Sequence, residues 1–280
     1  KANDIVPLFI DIIPESEHAI NIYISRINRN EIKIYYYGYQ KGLNQEGKHL
    51  HFYITGDTHK KFDRVEEFCL EYHTTTDDVM IILGDSGINY WLSPKDEKLK
   101  ERVARIPITC FCIHGNHEGR PWESPADYKL VPWHGGLVYK EEKYPNILFA
   151  KDGEIYDFNG KSVMPIGGAG TVNKDYRISH GLQWFASEQP DDTIKQFVEQ
   201  QLEKAGWKMD IILSHTVTIK AEPTWAFKPR KEPITVDKGT EEWLQTVYDR
   251  LDFSEWYAGH YHVETESMGI RIMFEDFDEI

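Results

Sequence analysis

The sequence predicts an α/β fold of stacked sheets and helices, and three observations carry the prediction. From His51 onward, apolar runs of strand length alternate with stretches of helical period. Five of those runs, HFYIT, VMIIL, ITCFCI, DIIL and WYA, each lead into a short motif of glycine or serine with metal-binding residue types. With 280 residues, 40% hydrophobic and 13% aromatic, the chain can bury a substantial core, so one large domain with an appendage is expected.

Residues 1–47 read as a β-rich appendage, with the main domain spanning 48–280. Ile20, Ile22 and Ile24 alternate with polar partners, Asn28-Arg29-Asn30 supplies a turn, and Ile32, Ile34 and Tyr36 alternate again. Residues 18–38 are therefore predicted to form a β-hairpin. Packing is the plainest role for it; dimerisation and substrate selection are the others. A polar, glycine-containing stretch follows, residues 41–48.

In the main domain, Phe62, Val65, Phe68 and Tyr72 recur at helical spacing. A second helix carries Ile194, Phe197, Val198 and Leu202, capped by Asp191 and Asp192 and stopped near Gly206. A third carries Trp243, Leu244, Val247 and Leu251. Each is expected to cover a sheet. Residues 119–146, rich in Pro, Trp and Gly, show no period and read as a long ordered loop. Residues 263–274 alternate and return a strand to the sheet.

The net charge of −14 argues against a protein that grips long nucleic acid by its phosphates, which needs a basic face. No apolar stretch reaches the ~20 residues of a membrane span, and no signal-peptide pattern is evident. The chain starts at Lys1 rather than at methionine, which leaves room for an upstream segment. Cys110 and Cys112 alternate within an apolar run and read, with Cys69, as buried thiols rather than a zinc site, which fits a reducing, cytoplasmic setting.

The five motifs are GDTH (56–59), GDSG (84–87), GNHE (115–118), SHT (214–216) and GHYH (259–262). Strand ends of an open α/β sheet border the crevice where ligands bind, so residues distant in sequence can meet there. The candidate ligands are Asp57, His59, Asp85, Asn116, His215, His260 and His262. Oxygen and imidazole donors without thiolate suit manganese first, with iron or zinc as alternatives. A carboxylate can bridge two cations, and Asp85 is the expected bridge. Paired metals would activate water for attack on phosphorus, while His117, beside Asn116, would protonate the leaving group. Glu118 would orient the loop.

These blocks resemble the calcineurin-like metallophosphoesterase family, whose signatures are D-x-H, G-D, G-N-H-D/E, a lone His and G-H-x-H, over residues 51 to the end. The resemblance implies a four-layer α/β/β/α sandwich with the N-terminal hairpin appended to it. It implies one metal held by Asp57, His59, Asp85 and His262, a second held by Asp85, Asn116, His215 and His260, and His117 as the catalytic histidine. The second block continues Ser86-Gly87-Ile88-Asn89, without the Asp and Arg of the phosphoprotein phosphatases in the same superfamily. Arg120, after the third block, either binds phosphate or is salt-bridged. Residues 166–190 resemble a stretch of bacterial and phage-type members, in which Arg177 either faces the site or pairs with Asp175.

The expected activity is a phosphomonoesterase acting on a phosphorylated small molecule or protein. A phosphodiesterase or nuclease working on small diesters or nucleic-acid ends is the alternative, and a non-catalytic scaffold docking through the hairpin a third. Lys60, Lys61 and Arg64, and Lys228, Arg230 and Lys231, form either a basic rim or a solvated surface.

Overall fold

The computed structural model describes residues 10–12, 20–28, 31–38, 50–227 and 236–280. Its contacts divide the chain into two units, Lys1–His49 and Leu50–Ile280. In the first, β1 (Ile10–Ile12), β2 (Ile20–Asn28) and β3 (Glu31–Gly38) form an antiparallel sheet in that order. Ile22 pairs with Tyr36 and Ile24 with Ile34, so the two alternating runs pair as antiparallel strands. The expected turn residues Arg29 and Asn30, residues 18 and 19, the stretch 41–48, and Lys228, Arg230 and Lys231 lie outside the described residues.

The second unit begins with β4 (Phe52–Thr55), α1 (Asp63–Tyr72), β5 (Val79–Ile82), α2 (Glu97–Val103), β6 (Thr109–Cys112), β7 (Tyr128–Trp133), β8 (Gly136–Glu141) and β9 (Ile147–Ala150). It continues through β10 (Tyr156–Phe158), β11 (Lys161–Ile166), α3 (Lys174–Ser179), α4 (Asp192–Lys204), β12 (Lys208–Ser214), α5 (Gly239–Tyr248) and β13 (Asp252–Ala258). The chain then forms β14 (Thr265–Ser267) and β15 (Ile270–Ile272) and returns to the first sheet with β16 (Phe277–Glu279). The two sheets run β16-β4-β5-β6-β9-β8-β7 and β10-β11-β12-β13-β15-β14. β4, β5, β6 and β9 are parallel in one; β11, β12, β13 and β15 are parallel in the other.

Burial shows the layering. Phe52, Ile54, Ile81 and Phe111 of the first sheet share a core with Tyr156, Phe158, Ile211 and Leu213 of the second. The opposite face of the first sheet, Tyr53, Met80 and Cys110, packs against Val65 and Phe68 of α1 and Val103 of α2. The outer face of the second, Met164, Ile212 and Trp256, packs against Val198 of α4 and Trp243 and Leu244 of α5. Strands buried on both faces explain the unbroken apolar runs, and the result is the four-layer α/β/β/α sandwich. Cys69, Cys110 and Cys112 are free, buried thiols sharing one apolar cluster. No helix among the described residues is long and apolar enough to cross a membrane.

The helices form where the period predicts. Asp191 caps α4, its carboxylate accepting from the Ile194 N–H at 2.8 Å, and the chain leaves the helix through Gly206 at φ 66°. The stretch 119–146 departs from expectation, since much of it is the β7–β8 hairpin. His134 and Gly135 take φ of 44° and 84° at its turn, the pair of left-handed residues that a tight hairpin needs. β7 is the edge strand, where Pro132 is tolerated because its missing N–H faces no neighbour. That proline and the half-exposed strand hid the period. α2 has no period to read, since it is mostly charged and only Lys100 and Val103 are buried, and Lys100 is neutralised by Glu141 at 2.8 Å.

Parallel register brings the motif loops to one level. Thr55 pairs with Ile82 and Ile82 with Cys112, while Ser214 pairs with Ala258 in the second sheet. Two motif glycines then allow close approach. A Cβ on Gly115 would lie 2.0 Å from the Asp85 nitrogen and 2.1 Å from its Oδ1. One on Gly84, whose φ is 94°, would lie 2.0 Å from His215 Nδ1.

Two outcomes are expected. Phe111 is fully buried between the sheets and rings with Trp133 at 4.9 Å and Tyr156 at 5.1 Å, so Phe111→Ala should cost about 3–5 kcal/mol in denaturant unfolding. Gly115→Ala should leave the far-UV spectrum intact while displacing Asp85, and should abolish manganese uptake measured by equilibrium dialysis.

Candidate metal centre

Every motif loop delivers its side chain to one place. Asp57 follows β4 and is buried; its Oδ1 accepts the His260 N–H at 2.9 Å, and its Oδ2 lies 3.2 Å from His262 Nε2 and 3.5 Å from His59 Nε2. His59 Nε2 and His262 Nε2 face each other at 2.8 Å. Asp85 follows β5; its Oδ1 accepts the His117 N–H at 2.7 Å. Its Oδ2 lies 3.9 Å from His59 Nδ1 and its Oδ1 3.8 Å from His215 Nε2, so the two oxygens face different imidazoles.

The second sheet contributes His215 after β12 and His260 after β13. His215 Nδ1 lies 2.7 Å from the Leu83 carbonyl, an acceptor, so Nδ1 carries the proton and Nε2 offers a lone pair. That lone pair meets Asn116 Oδ1 at 2.9 Å while Asn116 Nδ2 donates to Thr171 Oγ1 at 2.9 Å. With the amide oriented by this bonding, two acceptors confront each other, which a cation between them would satisfy. The His260 ring centre is 5.0 Å from that of His215.

Donor atoms of Asp57, His59 and His262 lie within 4.8 Å of one another, as do those of Asp57, Asp85 and His215. Both groups could hold a metal ion, and Asp57 belongs to each. His59, Asp85, His260 and His262 all adopt left-handed backbone, with φ of 46°, 47°, 71° and 54°. Such conformations are costly away from glycine and persist where the surroundings impose them, which is common at functional sites.

The electrostatics follow from burial. Burial, then Asp57 and Glu118, push Asp85 well above the usual carboxylate range. Burial acts likewise on Asp57, but the His262 hydrogen bond and the neighbouring imidazoles outweigh it and hold that carboxyl below its ordinary value. The same hydrogen bond raises His262. Burial lowers His59 to about 4 and His117 to about 3, and takes His260 well below its usual value. Neutral imidazoles are the state that binds a cation.

Glu118 orients the loops as expected. Its Oε2 accepts from Ser86 Oγ at 2.5 Å and the Gly87 N–H at 2.8 Å, and its Oε1 from the Gly115 N–H at 3.2 Å. Arg64, read as rim or solvated surface, is instead a brace, donating to the Gly56 and Asp57 carbonyls at 3.0 and 2.9 Å and to Phe274 O at 2.8 Å.

Arg120, a candidate phosphate contact, is buried; it donates to Asp152 Oδ2 at 2.6 Å and to the Ser187 carbonyl at 3.1 Å. Its guanidinium therefore ties the third motif to the β9 end rather than facing the centre. Arg177, on α3, lines a cavity of about 210 Å³ with His59, Lys60, Gly87, Tyr90 and His117. It donates to the Gln183 carbonyl at 2.7 Å and to Tyr90 at 3.3 Å. Tyr90 and Thr171 went unread in the sequence. Both follow strand-end glycines, in GDSGINY and GGAGT, and that position was their only signal.

A search of curated proteins found no significant match. A crystal structure at 12% identity covers 80% of this chain and 89% of its own, with a TM-score of 0.46. The protein of unknown function AQ665 from Aquifex aeolicus, also at 12% identity, covers 73% and 88%, with a TM-score of 0.32. The profile of the calcineurin-like phosphoesterases matches residues 50–264. A match that begins ahead of β4 and ends beyond His262 takes in every candidate ligand, and on it this chain belongs to the calcineurin-like phosphoesterase family.

Proposed function

We propose that the chain is a dinuclear metal-dependent phosphoester hydrolase acting on a phosphomonoester, carried by a small metabolite or a protein. Asp57, His59, Asp85 and His262 would form one ligand set and Asp85, Asn116, His215 and His260 the other. The observation that carries the reading is the convergence of lone-pair donors from both sheets: His59 and His262 face each other at 2.8 Å beside Asp57, and His215 faces Asn116 at 2.9 Å. Asp85, whose oxygens lie toward His59 on one side and His215 on the other, would serve both sets. The donors suit manganese, with iron and zinc as alternatives. Two divalent cations so bound would acidify water at neutral pH and offset phosphoryl charge in the transition state.

The protein's own groups supply the rest. His117 is fixed through its backbone, which donates to Asp85, and its buried Nδ1 has no hydrogen-bond partner among the described residues. Its ring lines the cavity with Arg177. Burial keeps it neutral until an anion lies beside it, and a ring that then takes a proton from solvent can pass it to the departing oxygen as the P–O bond breaks. Arg177 would hold a phosphoryl oxygen. The free, buried cysteines suit a reducing compartment, and a cytoplasmic location is part of the same reading.

Protein loaded with manganese and desalted should carry about two ions per chain by elemental analysis and hydrolyse p-nitrophenyl phosphate, with Asp85→Asn losing both properties. His117→Ala should keep its metal and lose about 10²–10⁴ in kcat. Full turnover after chelation, or undiminished kcat in His117→Ala, would overturn the mechanism.

A further inference from the structure

Lys60 follows the ligand His59 and adopts φ 71°, a conformation that glycine takes freely and lysine does not. Its N–H donates to the Ser86 carbonyl at 3.0 Å. Its stem lies against Gly87, where an added Cβ would come within 2.4 Å of Lys60 Cγ. The strained backbone and this channel carry the ammonium onto the Tyr90 ring, 3.4 Å from its centre. Arg177 reaches the same ring from α3, through its bond to the phenol oxygen.

Among the described residues neither Lys60 nor Arg177 is ion-paired to a carboxylate. The chain has no shortage of acids, with 46 Asp and Glu against 32 Lys and Arg. Other sheltered cations have found them: Arg120 pairs with Asp152, Lys100 with Glu141 and Lys238 with Glu222. Asp96 is the one carboxylate whose charge reaches Lys60, without an ion pair; two cations on one cavity wall beside His117, neither of them ion-paired among the described residues, point to an anionic ligand.

A cavity of about 210 Å³ is smaller than the ~300–1,000 Å³ usual for drug-sized ligands, so it suits a phosphoryl group and a few further atoms. A diester carries one negative charge at phosphorus, whereas a monoester near neutral pH carries up to two. We infer that Lys60 is a specificity-determining residue: with Arg177 it recognises the second negative charge of a phosphomonoester and so selects monoesters over diesters. This rests on the phosphoesterase reading above and assigns its substrate selection to a residue outside the metal ligands.

The test compares wild type with Lys60→Gln, Lys60→Gly and Lys60→Arg, all loaded with manganese. Inorganic phosphate is titrated calorimetrically, and p-nitrophenyl phosphate and bis-p-nitrophenyl phosphate are assayed in parallel. Lys60→Gln should weaken phosphate binding and raise the monoester KM by about tenfold each. The monoester kcat and both diester constants should stay within about threefold. Lys60→Arg should restore most of the loss. Lys60→Gly should show the same loss while melting no lower than wild type, since glycine accepts the backbone conformation. The inference fails if Lys60→Gln leaves phosphate affinity and monoester KM within about twofold of wild type, or if both esters suffer equally. Wild type that hydrolyses neither ester would sink the phosphoesterase reading, and phosphate titration would then still decide the role of Lys60.

Discussion

Two buried carboxylates govern this structure. Asp57 and Asp85 are each 2% exposed, and an ionised carboxylate removed from water costs several kcal/mol unless charge and hydrogen bonds compensate it. The compensation comes from the strand-end loops. Backbone N–H groups of His260 and His117 are turned onto the two carboxylates, and imidazoles from both sheets surround them. Turning the backbone inward in this way accompanies left-handed conformations at His59, Asp85, His260 and His262. Carboxylates and imidazoles held this close together could hold a cation, and the conformational strain and the convergence of the donors share one origin.

The scaffold makes that arrangement stiff. Strands in register set the height of each loop, and the bond between His215 and the Leu83 carbonyl joins the second sheet to the first directly beneath the centre. Arg64 fixes the chain around Asp57 and Glu118 that around Asp85. Arg120, spent on Asp152 and Ser187, anchors the loop of Asn116 and His117. These braces hold the backbone on either side of the donors, which limits the movement of the donors they support.

Charge is divided with similar economy of placement. The protein is acidic overall, and the centre holds its own carboxylates, yet the cavity wall next to His117 is cationic through Lys60 and Arg177. If the cavity takes an anion, a locally positive wall on an acidic protein would suit a small one better than an extended polyanion, whose phosphates would meet repulsion beyond the cavity.

Sequence alone determined the layered α/β architecture, the helices α1, α4 and α5, and the motif residues that come together at the strand ends, because strand burial and helical period are local properties and the motif residues are chemically distinctive. It did not reveal the β7–β8 hairpin, whose edge position removes the apolar alternation that marks a strand, or α2, whose buried face is two residues wide. It left Arg120 and Arg177 ambiguous as phosphate contacts, since one arginine after a turn reads like another. Only the tertiary structure separated them, by setting Asp152 from another loop against Arg120 and leaving Arg177 without an acidic partner among the described residues. The contacts of Lys60 and Arg177 with Tyr90 were decided there too, because a side chain's partner far along the chain depends on how sheets stack, and spacing along the chain carries no record of it.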